Sequence, residues 1–410
     1  MRIGPLALRG RILVFDERTP TPDRDSGSAS AFAFMRVLAR AGFNVTFVAA
    51  AWGEDRRYVR MLNRAGIKTA VKFDGHRLDA ALDTYGPNTD LMLLYRAPLA
   101  THLIDYARRV APKARIVFHP VDLHFLRMRR AAELTGDRAQ GEQAEAMRVR
   151  ELDLIARADA AIVVSSHEAE LLADLVPGAV VHHIPILRPT PRPPGLPGWR
   201  HVRSLLGAGA RDRGPQGRRD ILFIGGFDHA PNVDAVLWFV REVWPRVLAR
   251  GFGDTFIIAG SAMPQAIAAL ASERIKVRGH VPKLAPLFGA CRMSIAPLRY
   301  GGGIKGKIVS SLSYGVPVVA TSIAAEGMGL RHGDDILVSD DPDDFAERIV
   351  ALYGDADLWT RLSVNGYAAF TDKFSEAAGA AKIVRVFDGL LRETSVDGLA
   401  RRNPLHPAKS

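Results

Sequence analysis

Residues 297–321 read PLRYGGGIKGKIVSSLSYGVPVVAT. Three consecutive glycines, Gly301, Gly302 and Gly303, stand between an apolar run and a helical pattern, with Arg299, Lys305 and Lys307 beside them. Glycine lets backbone amides approach a ligand closely, and a helix N-terminus offers unpaired N–H groups at the positive end of its dipole. With three formal charges added, the pattern predicts a cradle for phosphate, most of all a diphosphate. The spacing matches neither Gly-x-x-x-x-Gly-Lys-Ser/Thr nor Gly-x-Gly-x-x-Gly, which sets aside the two best-known phosphate loops. A strand-to-helix turn that merely needs glycine is the competing reading.

Other candidates stand where predicted strands end. Gly225, Gly226 and His229 lie in DILFIGGFDHAPN, a strand running into a glycine turn. Asp25, Ser26, Gly27 and Ser28 form the polar centre of PDRDSGS, where a flexible backbone would approach phosphate or acceptor, although Ser28 equally suits a helix cap. HPVDLH ends a predicted strand, so His119, Asp122 and His124 are candidates for the cleft; one of them is expected to be structural, and Asp122 and His124 are favoured as the useful pair, since an Asp or His can polarise a hydroxyl. Glu326 follows the last predicted strand of the second half and is a further candidate for the cleft. The acidic run DDPDDF opens a predicted helix, where carboxylates complement the dipole, and the histidines show no zinc-ligand spacing. No metal and no cofactor is predicted.

The elements that position these residues alternate strand, turn and helix. RILVFDE, a helical 29–42 and NVTFVAA give a βαβ unit, and TDLMLLY, ARIVFHP and AAIVVSS continue it. The cycle restarts at residue 220 with DILFI, a helix over 233–251, TFIIAGS, RIKVRGHV, CRMSIAPL and VPVVATS. Between the halves the chain is dense in Pro, Gly and Arg and reads as a linker with a mobile stretch. The expected organisation is an N-terminal domain over 1–187, a linker over 188–219, a second domain over 220–373 and a final helix over 374–395. The fold class is α/β, two Rossmann-like doubly wound domains facing a cleft in which the ligand sits.

A chain of 410 residues suits two domains, and 48% hydrophobic with 24% charged residues is a globular composition. The one cysteine, Cys291, cannot form an internal disulfide, and no apolar run reaches the roughly 20 residues of a membrane span. A cytoplasmic location is expected. The net charge of +11, much of it in arginine clusters at 54–68, 105–115 and 125–133, attracts anions. No nucleic-acid motif accompanies it, so an anionic membrane surface is the favoured macroscopic partner.

Across nearly its whole length the chain resembles the GT-B glycosyltransferases, specifically the retaining family 4 group and a branch of bacterial polysaccharide enzymes within it. ILFIGGFDHAPNVDAVLWFVREVWP, VRGHV, APLRYGGGIKGKIVSSLSYGVPVVATSIAAEGM and HGDDILVSDDPDDFAERIVALYGD carry the resemblance in the second half. RILVFDERTPTPDRDSGSASAF and VDLHFLRMRRAAEL carry it in the first. It implies metal-independent transfer of a sugar, with retention, from a nucleotide-sugar donor held by the second domain to a glycan or lipid-linked acceptor on the first. It also implies a final helix that crosses back, and a peripheral position on the inner membrane face. Two departures stand out. Aligning SSLSYGVPVV on the family's EAMAxGxPVV puts Gly302 and Ser310 where two glutamates are usual, and the usual Arg and Lys after the first strand of the donor domain are missing. Diphosphate charge is then expected from Lys305 first, with Arg299 and Lys307 as helpers. A sugar-nucleotide epimerase or hydrolase, and a non-catalytic nucleotide- or partner-binding scaffold, are the alternatives.

Overall fold

The computed structural model describes residues 9–73, 77–191 and 214–400. In the first half seven strands form one parallel sheet in the order β3-β2-β1-β4-β5-β6-β7. They are β1 (Arg11–Arg18), β2 (Asn44–Ala51), β3 (Lys68–Thr69), β4 (Leu91–Tyr95), β5 (Arg115–His119), β6 (Ala160–Val163) and β7 (Val181–His183). Ile12 pairs with Val45 on one side and Leu91 on the other. Side chains alternate along a strand, so Leu13 and Phe15 enter one core layer and Ile12 and Val14 the opposite one. Helices cover both faces, which is why these strands read as unbroken apolar runs.

The second half repeats the plan with β8 (Arg219–Ile224), β9 (Phe256–Ala259), β10 (Ile275–Val277), β11 (Cys291–Ala296), β12 (Val318–Ala320) and β13 (Leu337–Val338). Their order is β10-β9-β8-β11-β12-β13, all parallel. In each sheet the order reverses beside the first strand, the point at which doubly wound sheets receive ligands.

Two helix boundaries differ from the sequence expectation. The helix expected over 233–251 begins at Ala230, with Pro231 in its first turn, and passes through a π-turn at Phe239–Val243 before Pro245. Proline lacks the N–H and crowds the carbonyl four residues back, and the wider turn relieves both. The helix expected from residue 29 begins at Ser26, because Asp25 caps it.

Both crossings between the domains meet at one place. Arg188 N–H donates to Phe374 O at 2.9 Å, and Glu376 N–H donates to Arg188 O at 3.1 Å, giving a parallel bridge between Arg188 and Ser375. The helix Glu376–Ala400 then returns to the first domain and buries Ile383, Phe387 and Leu390 in its core. The mobile stretch expected inside the linker, residues 192–213, lies outside the described residues. The flanks of the 188–219 linker belong to the fold: Arg188 and Arg218 are buried, and Arg219 already starts β8. At the acidic run, Asp341 accepts the N–H groups of Asp343 and Asp344, each at 2.9 Å, as a helix cap.

Candidate active-site cleft

A cleft of about 600 Å³ lies between the domains, walled by the segments that leave β1, β4 and β5 on one side and β8, β9 and β11 on the other. The glycine turn enters it after β11. Gly303, at φ +58°, donates its N–H to Glu168 Oε1 of the first domain at 2.9 Å. A Cβ on Gly303 would lie 3.0 Å from Asp122 Cβ and 3.2 Å from Val164 Cγ2. The turn is glycine because it seats tightly against the opposite domain, a cause the sequence pattern does not reveal. The helix Gly306–Ser313 follows, with Lys305 at its N-cap position and no side-chain cap on its first amides. A Cβ on Gly306 would stand 1.8 Å from Ser26 Oγ, so this helix start abuts the start of the helix Ser26–Arg40.

The three cations of the turn have separate fates. Lys305 is buried in the cleft wall, and its Nζ donates to Gly302 O at 2.9 Å and Gly303 O at 2.8 Å. Burial pushes its pKa down to about 8, against the pull of Glu168 and Glu326. Lys307, also in the wall, donates to Asn232 Oδ1 at 2.6 Å and lies over the Phe223 ring at 5.0 Å. Burial and then the neighbouring charge of Lys305 lower it to about 7. Arg299 is absent from the cleft wall: its Nε donates to Asp234 Oδ2 at 3.0 Å and its Nη2 to Asp234 Oδ1, a bidentate pair that holds it outside.

Gly225, Gly226 and His229 line the cleft. A Cβ on Gly225 would sit 2.8 Å from Asn232 Nδ2, whose amide in turn donates to Gly226 O at 2.6 Å. His229 precedes the helix at Ala230 without capping it. Burial and then Arg127 lower its pKa to about 4, so it faces the cleft neutral.

Opposite lies a compact polar group. Asp122 Oδ1 is 3.3 Å from His124 Nε2, and Asp122 Oδ2 accepts Arg127 Nη1 at 2.5 Å. Burial would raise the Asp122 pKa, but Arg127 and His124 outweigh it and hold the carboxyl well below its usual range. Glu151, fully buried, accepts the N–H groups of His124 and Phe125, both at 3.0 Å, and anchors the helix His124–Thr135. His119 is structural: its ring stacks on Tyr95 at 4.6 Å and its Nδ1 accepts Val121 N–H at 3.0 Å. Val121, at φ +77°, and Arg96, at φ +65°, stand at the ends of the adjacent strands β5 and β4. Such conformations cost on the order of 1–3 kcal/mol each and collect at functional sites. Arg96 is held by Asp16, Nε to Oδ1 at 2.9 Å.

Besides Arg299, two expected residues need correction. Ser28 neither caps the helix nor reaches the cleft; it is buried, and its N–H and Oγ donate to the carboxylate of Asp25, the true cap, at 2.7 and 2.6 Å. Of this loop, Asp25, Ser26 and Gly27 line the cleft. Glu326 binds Arg130 of the first domain through two bonds of 2.8 and 2.7 Å and is not part of the wall. Arg127 and Arg130 therefore bind within and between domains, so the 125–133 cluster is no simple basic surface. Gly302 and Ser310, the positions without the family's glutamates, both line the cleft.

The sequence reading missed Arg188, which it assigned to the linker. Its guanidinium is buried in the cleft wall, with Nη2 donating to Ser26 Oγ at 2.6 Å and Nη1 to Leu187 O at 3.0 Å. It also missed Tyr95, which stands in the same wall and whose buried hydroxyl has no hydrogen-bond partner among the described residues. Among the described residues, no group of three or more His, Cys, Asp or Glu side chains is placed to hold a metal ion, and no helix is long and apolar enough to cross a membrane.

With this geometry in view, comparison with known proteins defines the class. Residues 218–355 match the family described as Glycosyl transferases group 1. The second half is similar to group 1 glycosyltransferase domains over these residues, and the whole chain has the GT-B fold. The crystal structure of Anabaena HepE in complex with UDP-glucose is 16% identical with a TM-score of 0.67, over 93% of this chain and 100% of that one. Sucrose-phosphate synthase from Thermosynechococcus elongatus gives 15% and 0.68 over 94% and 100%. TarM of S. aureus gives 8% and 0.71 over 93% and 99%. In sequence, an uncharacterized 44.6 kDa protein in the cps region of Klebsiella pneumoniae is 22% identical over 183 residues. That match spans 42% of this chain and 45% of the relative.

Proposed function

We propose that the protein transfers a sugar, with retention and without a metal, from a nucleotide-sugar to a glycan or lipid-linked acceptor in bacterial surface polysaccharide synthesis. The observation that carries this reading is the uncapped start of the helix Gly306–Ser313, with Lys305 and Lys307 beside it, opening into the cleft of a glycosyltransferase domain. Departure of a nucleoside diphosphate builds negative charge on the bridging oxygen, and preorganised donors aimed there lower the barrier. Gly225 and Gly226 let the donor approach the backbone closely. Asp122 and His124, on the opposite wall, are placed to bind or polarise a sugar hydroxyl. UDP-glucose in the HepE complex and the cps-region relative support the donor class and the pathway. A cytoplasmic position, peripheral on the inner membrane face, accompanies a lipid-linked acceptor.

Gly302 and Ser310 in the cleft wall, where the family usually carries glutamates, favour a second reading, a scaffold that binds nucleotide without turnover. Incubation with a panel of nucleotide-sugars, reading released nucleoside diphosphate with and without membrane-extracted acceptor lipids, separates the two. Acceptor-dependent release supports transfer; binding with no release under any condition supports the scaffold; interconversion of the sugars supports an epimerase.

A further inference from the structure

Arg188 is 9% exposed and lies in the cleft wall. Its hydrogen bonds go to neutral oxygens: Ser26 Oγ at 2.6 Å, Ser26 O at 3.3 Å and Leu187 O at 3.0 Å. Among the described residues no carboxylate stands within 4.0 Å of it, whereas Arg96, Arg127, Arg130 and Arg299 each have one. Asp25, the acid that acts on it at longer range, is engaged by Ser28 and Thr21. Burying a cation without a counter-ion costs several kcal/mol, and buried charges are ordinarily paired; an anion entering the cleft would supply the missing partner.

The surroundings specify where that anion sits. A Cβ on Gly306 would lie 2.8 Å from Arg188 Nη2, which puts the guanidinium against the first residue of the helix Gly306–Ser313. Lys305 and Lys307 flank the same point and line the same cavity. Burial lowers the Arg188 pKa to about 10, so it is charged at neutral pH. Three bonds leave two of its five N–H donors for a ligand.

We propose that Arg188 is a diphosphate-binding residue, reaching from the domain crossing to grip the donor's phosphates beside the abutting starts of the helices at Ser26 and Gly306. It takes up the role left open by the missing cations after β8. The proposal rests on the nucleotide-sugar reading above.

The test is isothermal titration of the full chain with UDP, GDP and ADP, each beside its own nucleoside. For the diphosphate that binds best, Arg188→Met is expected to weaken binding roughly 10- to 100-fold, as loss of bonds from a charged donor does, and to leave nucleoside binding unchanged. Arg188→Lys, which keeps the charge and loses the fork, is expected to fall between, and Ser26→Ala, which removes the guanidinium's anchor, to weaken the diphosphate alone. Should Arg188→Met fail to fold, the other two variants carry the test. Wild-type affinity for the diphosphate in the folded variants, or an equal loss for diphosphate and nucleoside, would overturn the role of Arg188 while leaving the nucleotide-sugar reading intact. If the unaltered protein binds none of the three diphosphates, both fall.

Discussion

Glu168 of the first domain accepts the N–H of Gly303 in the second at 2.9 Å, and through the same Oε1 the N–H of Leu123 in its own domain at 2.9 Å. One carboxylate oxygen thus fastens the glycine turn to the strand-end loop that carries Asp122, while Oε2 has no partner.

Burial raises the Glu168 pKa to about 7, above the ordinary 4.5. The folded state therefore holds a proton that the unfolded chain loses. The stability contributed by this protonated form is complete below pH 4.5 and is lost as pH rises through 7. Glu168→Gln keeps the Oε1 acceptor without the charge. Its melting temperature, measured by calorimetry, is expected to exceed that of the wild type by a margin that widens from pH 4.5 to 7 and is constant above.

Lys305 binds two carbonyls of its own turn, so its removal loosens that turn as well as the cleft charge. Lys305→Ala is expected to lower stability by about 2 kcal/mol, the scale of hydrogen bonds from a charged donor. Release of nucleoside diphosphate is expected to fall roughly 100-fold, the scale of one lost preorganised contact. Urea unfolding and turnover measured together check both. An activity loss that tracks the unfolded fraction would leave Lys305 structural.

Lys307 is lowered to about 7 by burial and by Lys305, and a bound anion raises it again. Binding near pH 8 then takes up a proton, and affinity for a nucleoside diphosphate declines as pH rises from 7 to 9. Titrations in buffers of different ionisation enthalpy measure the uptake. Lys307→Met is expected to bind more weakly and with less pH dependence.

Phe387 of the final helix meets Phe34 edge-on at 5.7 Å and Phe43 at 6.2 Å, fully buried in the first domain. Phe387→Ala is expected to cost about 3–5 kcal/mol, as large core truncations do, read in the unfolding midpoint. Ala380→Ser, at the margin of the same cluster, serves as the mild control.

The sheets were legible because a strand covered on both faces must be apolar at every position, as in Leu91–Tyr95 and Cys291–Ala296. The glycine turn was legible as backbone that something approaches closely, although the partner includes Asp122 of the other domain. Arg299 and Glu326 were misplaced because their partners, Asp234 and Arg130, lie 65 and 196 residues away, and no local pattern encodes such a pairing. Arg188 was hidden by its setting, since prolines nearby read as linker whatever their neighbours do. Ser28 stands in a loop expected to approach phosphate or acceptor, with a helix cap as the alternative, but Asp25 three residues earlier is the cap and engages the Ser28 hydroxyl.

The chain passes between the lobes at the Arg188 and Ser375 bridge, and the bonds from Gly303 to Glu168 and from Arg130 to Glu326 fasten the lobes again at the cleft. Any opening about that bridge has to break these bonds first, and the arc traced by a residue grows with its distance from the bridge. The touching starts at Ser26 and Gly306, next to Arg188, would part least.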